Sequence, residues 1–457
     1  MDNKIITVNK IIGICKGELI SGDRNLQVES YSKDSRAIEN QDMYIAIRGE
    51  RVNGNDYIEA AFENGAMGCI TDDIIDEKIL EKYRNKVIIK VKDTIKAIQE
   101  IAKYKRSLYN IPVIAVTGSV GKTSTKDIVA NVMAQKFKVL KTEGNLNNHI
   151  GLPLTLLKLK DHTAVIVEMG MNHFGEISLL TEIAKPTGCI ITNIGTSHIG
   201  NLGSRENILK AKLEILEGLD KNGFVLINND NDLLNDWAGK ENNYKIYTYG
   251  IENQSDYIVE NIVRLENGSS FIINGIKVEV PVGGTHFIYN AACAFAIGNL
   301  LEIEKQDIIK GIAEFKLTAK RMDIEIIKDN VKVINDSYNA SYDSMKAALE
   351  VMGKTEAGRK IAVLGNMLEL GDYTKELHQK VGEEVIKNKI GVLITVGEFA
   401  EEIANKAQEL GMKEIFKFQD IENVTKHIKS FMRSGDLILL KASNSMNFSK
   451  ILEGIKN

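Results

Sequence analysis

The chain has 457 residues, a length typical of about three domains. It carries 58 Lys and Arg against 62 Asp and Glu, for a net charge of −4, and its composition is 44% hydrophobic and 26% charged. This balance excludes a generally basic nucleic-acid-binding surface and an acidic disordered chain, and it indicates a soluble globular protein.

The longest apolar runs are too short to span a bilayer, and the N-terminus has no signal-peptide pattern. The cysteines are far apart and form no C-x-x-C pair; they are Cys15, Cys69, Cys189 and Cys293. These features predict a cytoplasmic protein with reduced, mostly buried thiols, and neither a disulfide nor a zinc site.

The chain begins with a mixed α/β region, after which short β-branched runs alternate with amphipathic stretches. Buried strands are predicted over 113–118, 164–170, 189–195 and 224–228. Their continuous apolar character is typical of a parallel sheet covered on both faces. A helix is predicted over 123–134, with Ile128, Val129, Val132 and Met133 on one face.

Residues 256–282 alternate in polarity and contain the hairpin dipeptides Asn267-Gly268 and Asn274-Gly275. A second βα series follows. Its strands are predicted at 332–334, 360–364, 392–396 and 437–440, and its helices near 344–351, 374–386, 399–410 and 423–431. This series predicts a separate doubly wound unit.

The predicted fold is therefore α/β with three domains. Residues 1–108 form a mixed α/β N-terminal domain. Residues 109–315 form a central P-loop domain with a doubly wound, mainly parallel sheet and a small antiparallel hairpin region. Residues 316–457 form a C-terminal Rossmann-like α/β domain.

The strongest local signal is Gly118-Ser-Val-Gly-Lys-Thr123, where a buried strand leads through a glycine-rich turn into a helix. The backbone N–H groups of such a turn, with the helix N-terminus, bind phosphate. Lys122 would reach the outer phosphates, and the Thr123 hydroxyl would bind Mg²⁺. The turn is shorter than the common P-loop, since Val116 takes the place of its first glycine. The alternative is a glycine turn with an accidental lysine.

Three further residues form a candidate metal site. Glu168 ends a predicted strand, where a carboxylate suits Mg²⁺, although it could equally cap a helix. His198 follows the next strand end, where a solvated or capping histidine is the alternative. In a helix predicted from about Ser204 through Leu219, Lys212 shares the inward stripe of Ile208, whereas Lys210 faces elsewhere. Lys212 either snorkels or reacts with CO₂ to give an anionic carbamate ligand.

These motifs together resemble the Mur ligase superfamily, the ATP-dependent amide ligases of peptidoglycan precursor synthesis. Thr117-Gly-Ser-Val-Gly-Lys-Thr123 matches its T-G-[ST]-x-G-K-[ST] loop. Further matching segments are Glu143–Thr155, Glu168–Ile177, Thr192–His198, Ala211-Lys212, His286–Asn290, Asp336–Ala340 and Leu364–Gly371 with His378. Asp34-Ser35-Arg36 and Ala46-x-Arg48-Gly49 resemble the region that grips the UDP-sugar.

The resemblance implies roles for individual residues. ATP would be bound by Gly118, Ser119, Gly121, Lys122, Thr123, Ser124, His286, Asn290, Arg321 and Asp336. Catalysis would depend on Lys122, Glu168, His198 and Lys212. Two Mg²⁺ ions would be held by Thr123 and Glu168, and by His198 and carbamylated Lys212. Substrate would be contacted by Ser35, Arg36, Asn145, Asn148, Asn172, His173, Tyr338 and Asn339.

The implied substrates are a UDP-N-acetylmuramoyl-tripeptide and a D,D-dipeptide such as D-Ala-D-Ala, joined through an acyl phosphate by a monomer that binds no nucleic acid and spans no membrane. Departures from the family pattern are Lys320, Tyr342, Asn366 (usually Asp), Asn444 (usually Arg) and Ser449. They leave open a different dipeptide, such as D-Ala-D-Ser. The sequence is also compatible with another Mur-type ligase, folylpolyglutamate synthase, a P-loop NTPase that is not a ligase, or a weakened binding paralogue.

Overall fold

The structure, a computed structural model, describes residues 4–240, 243–265, 268–317 and 320–456. The chain folds into two compact units. The first comprises residues 1–117, 136–190 and 211–225, and the second comprises residues 118–135, 191–210 and 226–457. No helix in the described ranges is long and apolar enough to cross a membrane.

The N-terminal part contains a five-stranded sheet in the order β2-β7-β6-β5-β4 and a small β1-β3 pair. Its pairs are parallel except for β2 with β7. The elements are β1 (Ile6–Thr7), α1 (Val8–Cys15), β2 (Glu18–Ser21), β3 (Gln27–Val28), β4 (Tyr31–Ser32), β5 (Met43–Ile45), α2 (Ile58–Glu63), β6 (Gly68–Thr71), α3 (Glu77–Lys82), β7 (Val87–Lys90) and α4 (Thr94–Ser107).

The middle part contains a nine-stranded sheet. Its elements are β8 (Val113–Thr117), α5 (Lys122–Met133), β9 (Val139–Lys141), α6 (Gly151–Leu157), β10 (Ala164–Glu168), α7 (Glu176–Ala184), β11 (Gly188–Ile191), α8 (Ile199–Leu202), α9 (Arg205–Leu213), β12 (Phe224–Asn228), α10 (Asp232–Ala238), β13 (Lys245–Gly250), β14 (Tyr257–Leu265), β15 (Gly268–Ile273), β16 (Ile276–Val280), α11 (Thr285–Leu300) and α12 (Lys305–Ala313). The strand order is β16-β15-β14-β13-β12-β11-β8-β10-β9. Strand β10 pairs in parallel with β8 and β9, whereas β14, β15 and β16 form the antiparallel hairpins.

The C-terminal part contains a six-stranded sheet in the order β17-β18-β22-β19-β20-β21, parallel except for β17. Its elements are β17 (Asp323–Ile327), β18 (Val331–Asn335), α13 (Tyr342–Lys354), β19 (Arg359–Gly365), α14 (Thr374–Lys387), β20 (Val392–Val396), α15 (Glu401–Glu409), β21 (Ile415–Phe418), α16 (Ile421–Phe431), β22 (Asp436–Lys441) and α17 (Ser449–Lys456). Its core is mostly aliphatic and formed largely by the strands.

The predicted α/β class, with its mainly parallel central sheet and Rossmann-like C-terminal sheet, is confirmed. The four α5 residues predicted to share one face are all buried. The hairpin turn at Asn274-Gly275 lies between β15 and β16, as predicted. In the other predicted hairpin dipeptide, Asn267-Gly268, residue Asn267 lies outside the described residues. All four cysteines are free thiols, and only Cys15 is not fully buried.

Two predicted boundaries are wrong for identifiable reasons. Strand β11 stops at Ile191 rather than continuing to residue 195, because the next two residues turn toward the glycine-rich loop and bond to its backbone. Helix α9 ends at Leu213 and gives way to a 3₁₀ turn, Glu214–Leu216. The carbonyl of Ile215 accepts a hydrogen bond from the Thr181 hydroxyl at 2.8 Å, so that this carbonyl is bonded outside the helix.

Candidate active site

The glycine-rich loop between β8 and α5 is held in shape by Asn193. The Asn193 Oδ1 atom accepts hydrogen bonds from the backbone N–H groups of Ser119 (3.1 Å) and Val120 (2.9 Å). Its Nδ2 donates to the carbonyl of Val120 at 3.1 Å. Two of the loop amides therefore converge on one side-chain oxygen, which fixes the conformation of the loop. Asn193 lies within a family motif, but no role for it was predicted from the sequence.

Lys122 lies at the first position of α5, directly after the loop. Its Nζ donates to the carbonyls of Gly118 at 2.8 Å and Ser119 at 3.4 Å, which folds the side chain back along the loop. The N-cap residue Gly121 has a left-handed backbone (φ 83°) and gives the helix no side-chain cap. The helix N-terminus and a lysine ammonium thus meet at one loop, and both features favour an anion there. Ser124 follows in the first turn of α5, after the largely buried Thr123.

Glu168 lies at the end of β10 in the first unit and is 2% exposed. It pairs with Val116 of the parallel strand β8, one residue before Thr117. Its Oε1 accepts a hydrogen bond from Asn147 Nδ2 at 2.8 Å. Its backbone N–H donates to the hydroxyl of Thr142 at 3.0 Å. The buried carboxylate is therefore oriented by a neighbouring amide.

Lys212 is buried, at 2% exposed, and so is Ile208 one turn earlier on α9. Lys210 is exposed. The predicted inward stripe is therefore confirmed, and the lysine side chain does not lie on the surface. A buried lysine is favourable only when its charge is compensated or removed.

His198 adopts a left-handed backbone (φ 64°) directly before α8. Its Nδ1 lies 2.5 Å from Oε2 of Glu369, in the turn before α14. Two residues before His198, Thr196 donates through its backbone N–H (2.7 Å) and its hydroxyl (2.9 Å) to Oδ2 of Asp343. Neither acidic partner was singled out from the sequence.

At the start of α11, the imidazole of His286 is partly buried, and this burial lowers its pKa to about 4. One turn later, Asn290 is buried, and its Oδ1 accepts a hydrogen bond from Thr125 Oγ1 at 2.9 Å. Its Nδ2 has no hydrogen-bond partner among the described residues. Leaving a buried donor unpaired costs about 1–3 kcal/mol. This amide therefore fits a site that is completed by an acceptor on a ligand.

Asp336 and Arg321, predicted to contact the nucleotide, are held by separate contacts. Asp336 Oδ2 accepts from the buried Lys441 at 2.5 Å, and Oδ1 accepts from the N–H of Met322 at 3.2 Å. The Arg321 guanidinium lies 3.9 Å from the centroid of the Tyr338 ring. Lys441 also donates to the carbonyl of Asn339 at 3.0 Å, so that one ammonium fixes this whole loop.

The remaining predicted substrate residues have varied surroundings. Asn148 has a structural role, because its Oδ1 accepts a hydrogen bond from the backbone N–H of Gly151 (2.9 Å) at the start of α6. Arg36 is exposed and forms an ion pair with Asp34 at 2.7 Å, which holds the pKa of Asp34 at about 2. Ser35 is buried, whereas three more have exposed side chains: Asn145, Asn172 and His173.

The two departures predicted to affect the dipeptide have different structural meanings. Asn366 Oδ1 accepts a hydrogen bond from the backbone N–H of Ala400 at 2.8 Å, just before α15. A carboxylate could accept the same bond, so this asparagine keeps a structural role. Asn444 is exposed at the start of a 3₁₀ turn, Asn444–Met446.

Within the described ranges, no three His, Cys, Asp or Glu side chains lie close enough together to hold a metal ion. The oxygen donors of Thr123 and Glu168 are nevertheless of the kind that suits Mg²⁺, which usually takes one or two protein ligands together with water and substrate phosphates. Taken singly, each residue offers an oxygen of the kind that a magnesium ion arriving with a nucleotide takes.

Comparison with known proteins defines the class. Three family models match the chain: "Mur ligase family, catalytic domain" over residues 27–106, "Mur ligase middle domain" over 116–298, and "Mur ligase, glutamate ligase domain" over 320–444. The chain belongs to the Mur ligase family.

Similar proteins match the chain over nearly its whole length. The chain is 36% identical to the UDP-N-acetylmuramoyl-tripeptide--D-alanyl-D-alanine ligase of Bacillus subtilis, over 98% of each chain. Among solved structures, it is similar to MurF from Acinetobacter baumannii, with a TM-score of 0.88 and 26% identity over 99% of both chains. It is also similar to MurF ligase from Thermotoga maritima in complex with ADP, with a TM-score of 0.81 and 26% identity over 94% of this chain and 97% of that one.

Proposed function

We propose that the chain is an ATP-dependent ligase that joins D-alanyl-D-alanine to UDP-N-acetylmuramoyl-tripeptide, giving the UDP-muramoyl-pentapeptide, ADP and phosphate. The observation that carries the proposal is the full-length match to a ligase with that name, at 36% identity over 98% of each chain. The protein would work as a monomer in the cytoplasm, the compartment that holds ATP and the nucleotide-linked precursors of peptidoglycan.

ATP would bind at the glycine-rich loop. Lys122 folds along the loop carbonyls and can swing toward the outer phosphates. The Nδ2 of Asn290, which has no hydrogen-bond partner among the residues that the structure describes, would supply a buried donor for an acceptor atom of the nucleotide. The ADP complex of the similar Thermotoga maritima ligase supports nucleotide binding by this chain.

Three negative groups must meet for the reaction, namely the peptide carboxylate and the β- and γ-phosphates. Lys122 would offset part of this charge. Thr123 and Glu168 would hold one Mg²⁺ ion, and His198 and carbamylated Lys212 would hold a second. When bound, these ions would neutralise the charge that develops on the transferring phosphoryl group.

The proposed reaction has two steps. The peptide carboxylate oxygen attacks the γ-phosphorus, and the bond to the bridging oxygen of ADP breaks, giving an acyl phosphate. The free amine of the dipeptide then attacks the acyl carbon, loses a proton and expels phosphate. The residues around the acyl phosphate would exclude water, which would otherwise hydrolyse it.

Carbamylation would turn the buried Lys212 side chain into a metal ligand. The ammonium first gives up one proton. The neutral amine then attacks CO₂, forms an N–C bond and loses a second proton, so that a cation becomes an anionic carbamate suited to Mg²⁺. We expect Lys212→Ala to lose most activity and short carboxylic acids to restore part of it, as measured by ADP release. A fully active variant in plain buffer would show that Lys212 is only structural.

The proposed function is tested by ADP release with UDP-muramoyl-tripeptides against a panel of D,D-dipeptides and single amino acids. We expect turnover to require both substrates and to be fastest with D-Ala-D-Ala. Lys122→Ala should abolish it. Turnover with a single amino acid instead would indicate another Mur-type ligase, and acceptor-independent turnover would indicate an NTPase.

A further inference from the structure

The loop after β11 is contacted by two segments of the region that matches the glutamate ligase domain. One segment is the start of α13, where Asp343 accepts both hydrogen bonds of Thr196. The second is the turn before α14, where the carbonyl of Glu369 accepts from the N–H of Gly200 at 3.0 Å. Both contacts involve hydrogen bonds to the backbone of this loop, which fixes its position.

The second contact brings two backbones together. A Cβ atom added at Gly200 would lie 2.5 Å from the nitrogen of Gly371 and 2.6 Å from the carbonyl carbon of Leu370. Such distances leave no room for a side chain. The phenolic hydroxyl of Tyr373 also donates to the carbonyl of Gly203 at 2.7 Å. The loop and the turn therefore fit each other closely.

Within this contact, the Glu369 carboxylate reaches His198 Nδ1 at 2.5 Å. An ionised carboxylate only accepts hydrogen bonds, so Nδ1 carries the hydrogen. In a neutral imidazole, the lone pair then lies on Nε2, the form in which histidine binds metal ions. A carboxylate on the far nitrogen of a histidine ligand sets its tautomer and orientation and raises its basicity.

Both partners adopt unusual backbone conformations. His198 has φ 64° and Glu369 has φ 63°, in the left-handed region that favours glycine. For a residue with a Cβ atom, this region is less stable than the right-handed one. Strain of this kind persists where the surrounding structure imposes it, often at functional sites. Here, two strained residues meet side chain to side chain.

We propose that Glu369 is a positioning residue that sets His198 for binding a divalent cation. This inference rests on the proposed function, in which His198 is a metal ligand. Because Glu369 belongs to the region that would receive the dipeptide, cation affinity at His198 depends on that region's contact with the loop after β11. The amine-receiving region thereby takes part in preparing the nucleotide site.

The test uses the full chain with Mn²⁺ and ADP. The Mn²⁺ dissociation constant is measured by electron paramagnetic resonance, and imidazole ligation by the ¹⁴N coupling to bound Mn²⁺. We expect Glu369→Ala to weaken Mn²⁺ binding by about 10–100-fold and to reduce the nitrogen coupling. Glu369→Gln should retain most of both, because the amide oxygen still accepts from Nδ1.

Asp372→Asn is the matched control, since Asp372 is an exposed carboxylate of the 3₁₀ turn Gly371–Tyr373, three residues after Glu369. It should bind Mn²⁺ like the wild type. Unchanged binding in Glu369→Ala, or an equal loss in Asp372→Asn, would overturn the inference. Absence of nitrogen coupling in the wild type would also overturn it, while ADP release with both substrates would still support the proposed ligase.

Discussion

Asn147 determines how one oxygen of the buried Glu168 carboxylate is held, through a hydrogen bond of 2.8 Å. Removing the amide takes this donor away from the oxygen and weakens the orientation of the carboxylate. We therefore expect Asn147→Ala to raise the Mg²⁺ concentration needed for half-maximal ADP release by about 10–100-fold, the usual effect of losing a partner behind a metal ligand. Asn222→Ala, at an exposed asparagine, is the control. Superimposable magnesium titrations would refute the role of Asn147.

His378 supports the turn that carries Glu369 through a neutral imidazole. Its Nε2 accepts from the N–H of Met367 at 3.0 Å, and its Nδ1 donates to the carbonyl of Thr374 at 2.6 Å. Burial lowers the pKa of His378 below its ordinary 6.5. This effect of burial outweighs the Thr374 carbonyl and Glu402, which both favour the charged form and raise the pKa. Protonation would place a second N–H against the Met367 amide.

The sign of the pH effect follows from this shift. Below about pH 6.5 the unfolded histidine binds more protons than the folded one. The stability that the folded chain gains from a neutral His378 is therefore fully present above that pH and is lost as the pH falls. We expect the difference in melting temperature between wild type and His378→Gln to shrink from pH 7 to pH 5. The exposed His149→Gln should show no such trend. A constant difference for His378→Gln would contradict the prediction.

Single residues differ in how far the sequence predicts them. The burial of Lys212 follows from its helical spacing to Ile208, because both lie on one local element. The bonds of Asn193 to the glycine-rich loop and of Glu369 to His198 join segments that are 73 and 171 residues apart. No local periodicity reports such pairs. Asn193 and Glu369 both lie within family motifs, but their partners become visible only in the folded chain.

At the level of elements, the turn between β8 and α5 requires glycine at position 118. Gly118 has φ 148°, and a Cβ atom there would lie 1.9 Å from the hydroxyl oxygen of Thr192. That hydroxyl donates to the carbonyl of Val120 at 2.8 Å. A methyl group would therefore displace the side chain that supports the loop.

We expect Gly118→Ala to abolish most ADP binding by isothermal titration calorimetry and to lower stability. The control is Gly411→Ala, at φ 93° with no atom within 4 Å of the added Cβ. It should cost only about 1–2 kcal/mol of stability, from the left-handed backbone, and leave ADP binding intact. Normal ADP binding by Gly118→Ala would show that the loop can adapt.

Strands and helices of the two βα series were predictable because burial on both faces gives continuous apolar runs, and one-sided burial gives a 3.6-residue period. The residues at which these strands and helices end were harder to predict. Glu214 shows why, since its carboxylate accepts from the N–H groups of Gly175 (2.8 Å) and Ser178 (3.1 Å) at the start of α7. This tertiary cap lies where the helical pattern predicts a continued α9, and the chain turns into a 3₁₀ segment instead.

At the scale of the whole molecule, the family pattern runs through all three matched regions, and the departures concentrate in the last one. Asn366 accepts a hydrogen bond from the backbone N–H of Ala400, as the usual aspartate could. This substitution therefore gives no reason to expect a new substrate. Asn444 differs, because its exposed side chain replaces a charged arginine of the family pattern. We therefore expect the choice of dipeptide to depend more on Asn444 than on the nucleotide-binding loop.

A positive charge at position 444 should change the binding of the dipeptide and leave the binding of ATP unchanged. A guanidinium can pair bidentately with a carboxylate such as that of the dipeptide. We expect Asn444→Arg to lower the KM for D-Ala-D-Ala by about tenfold, corresponding to about 1.4 kcal/mol, and to leave the KM for ATP unchanged. Ser445→Arg adds the same charge at the next exposed position of the turn. An equal gain in Ser445→Arg would assign the effect to general attraction, and a changed KM for ATP would place Asn444 on the nucleotide side.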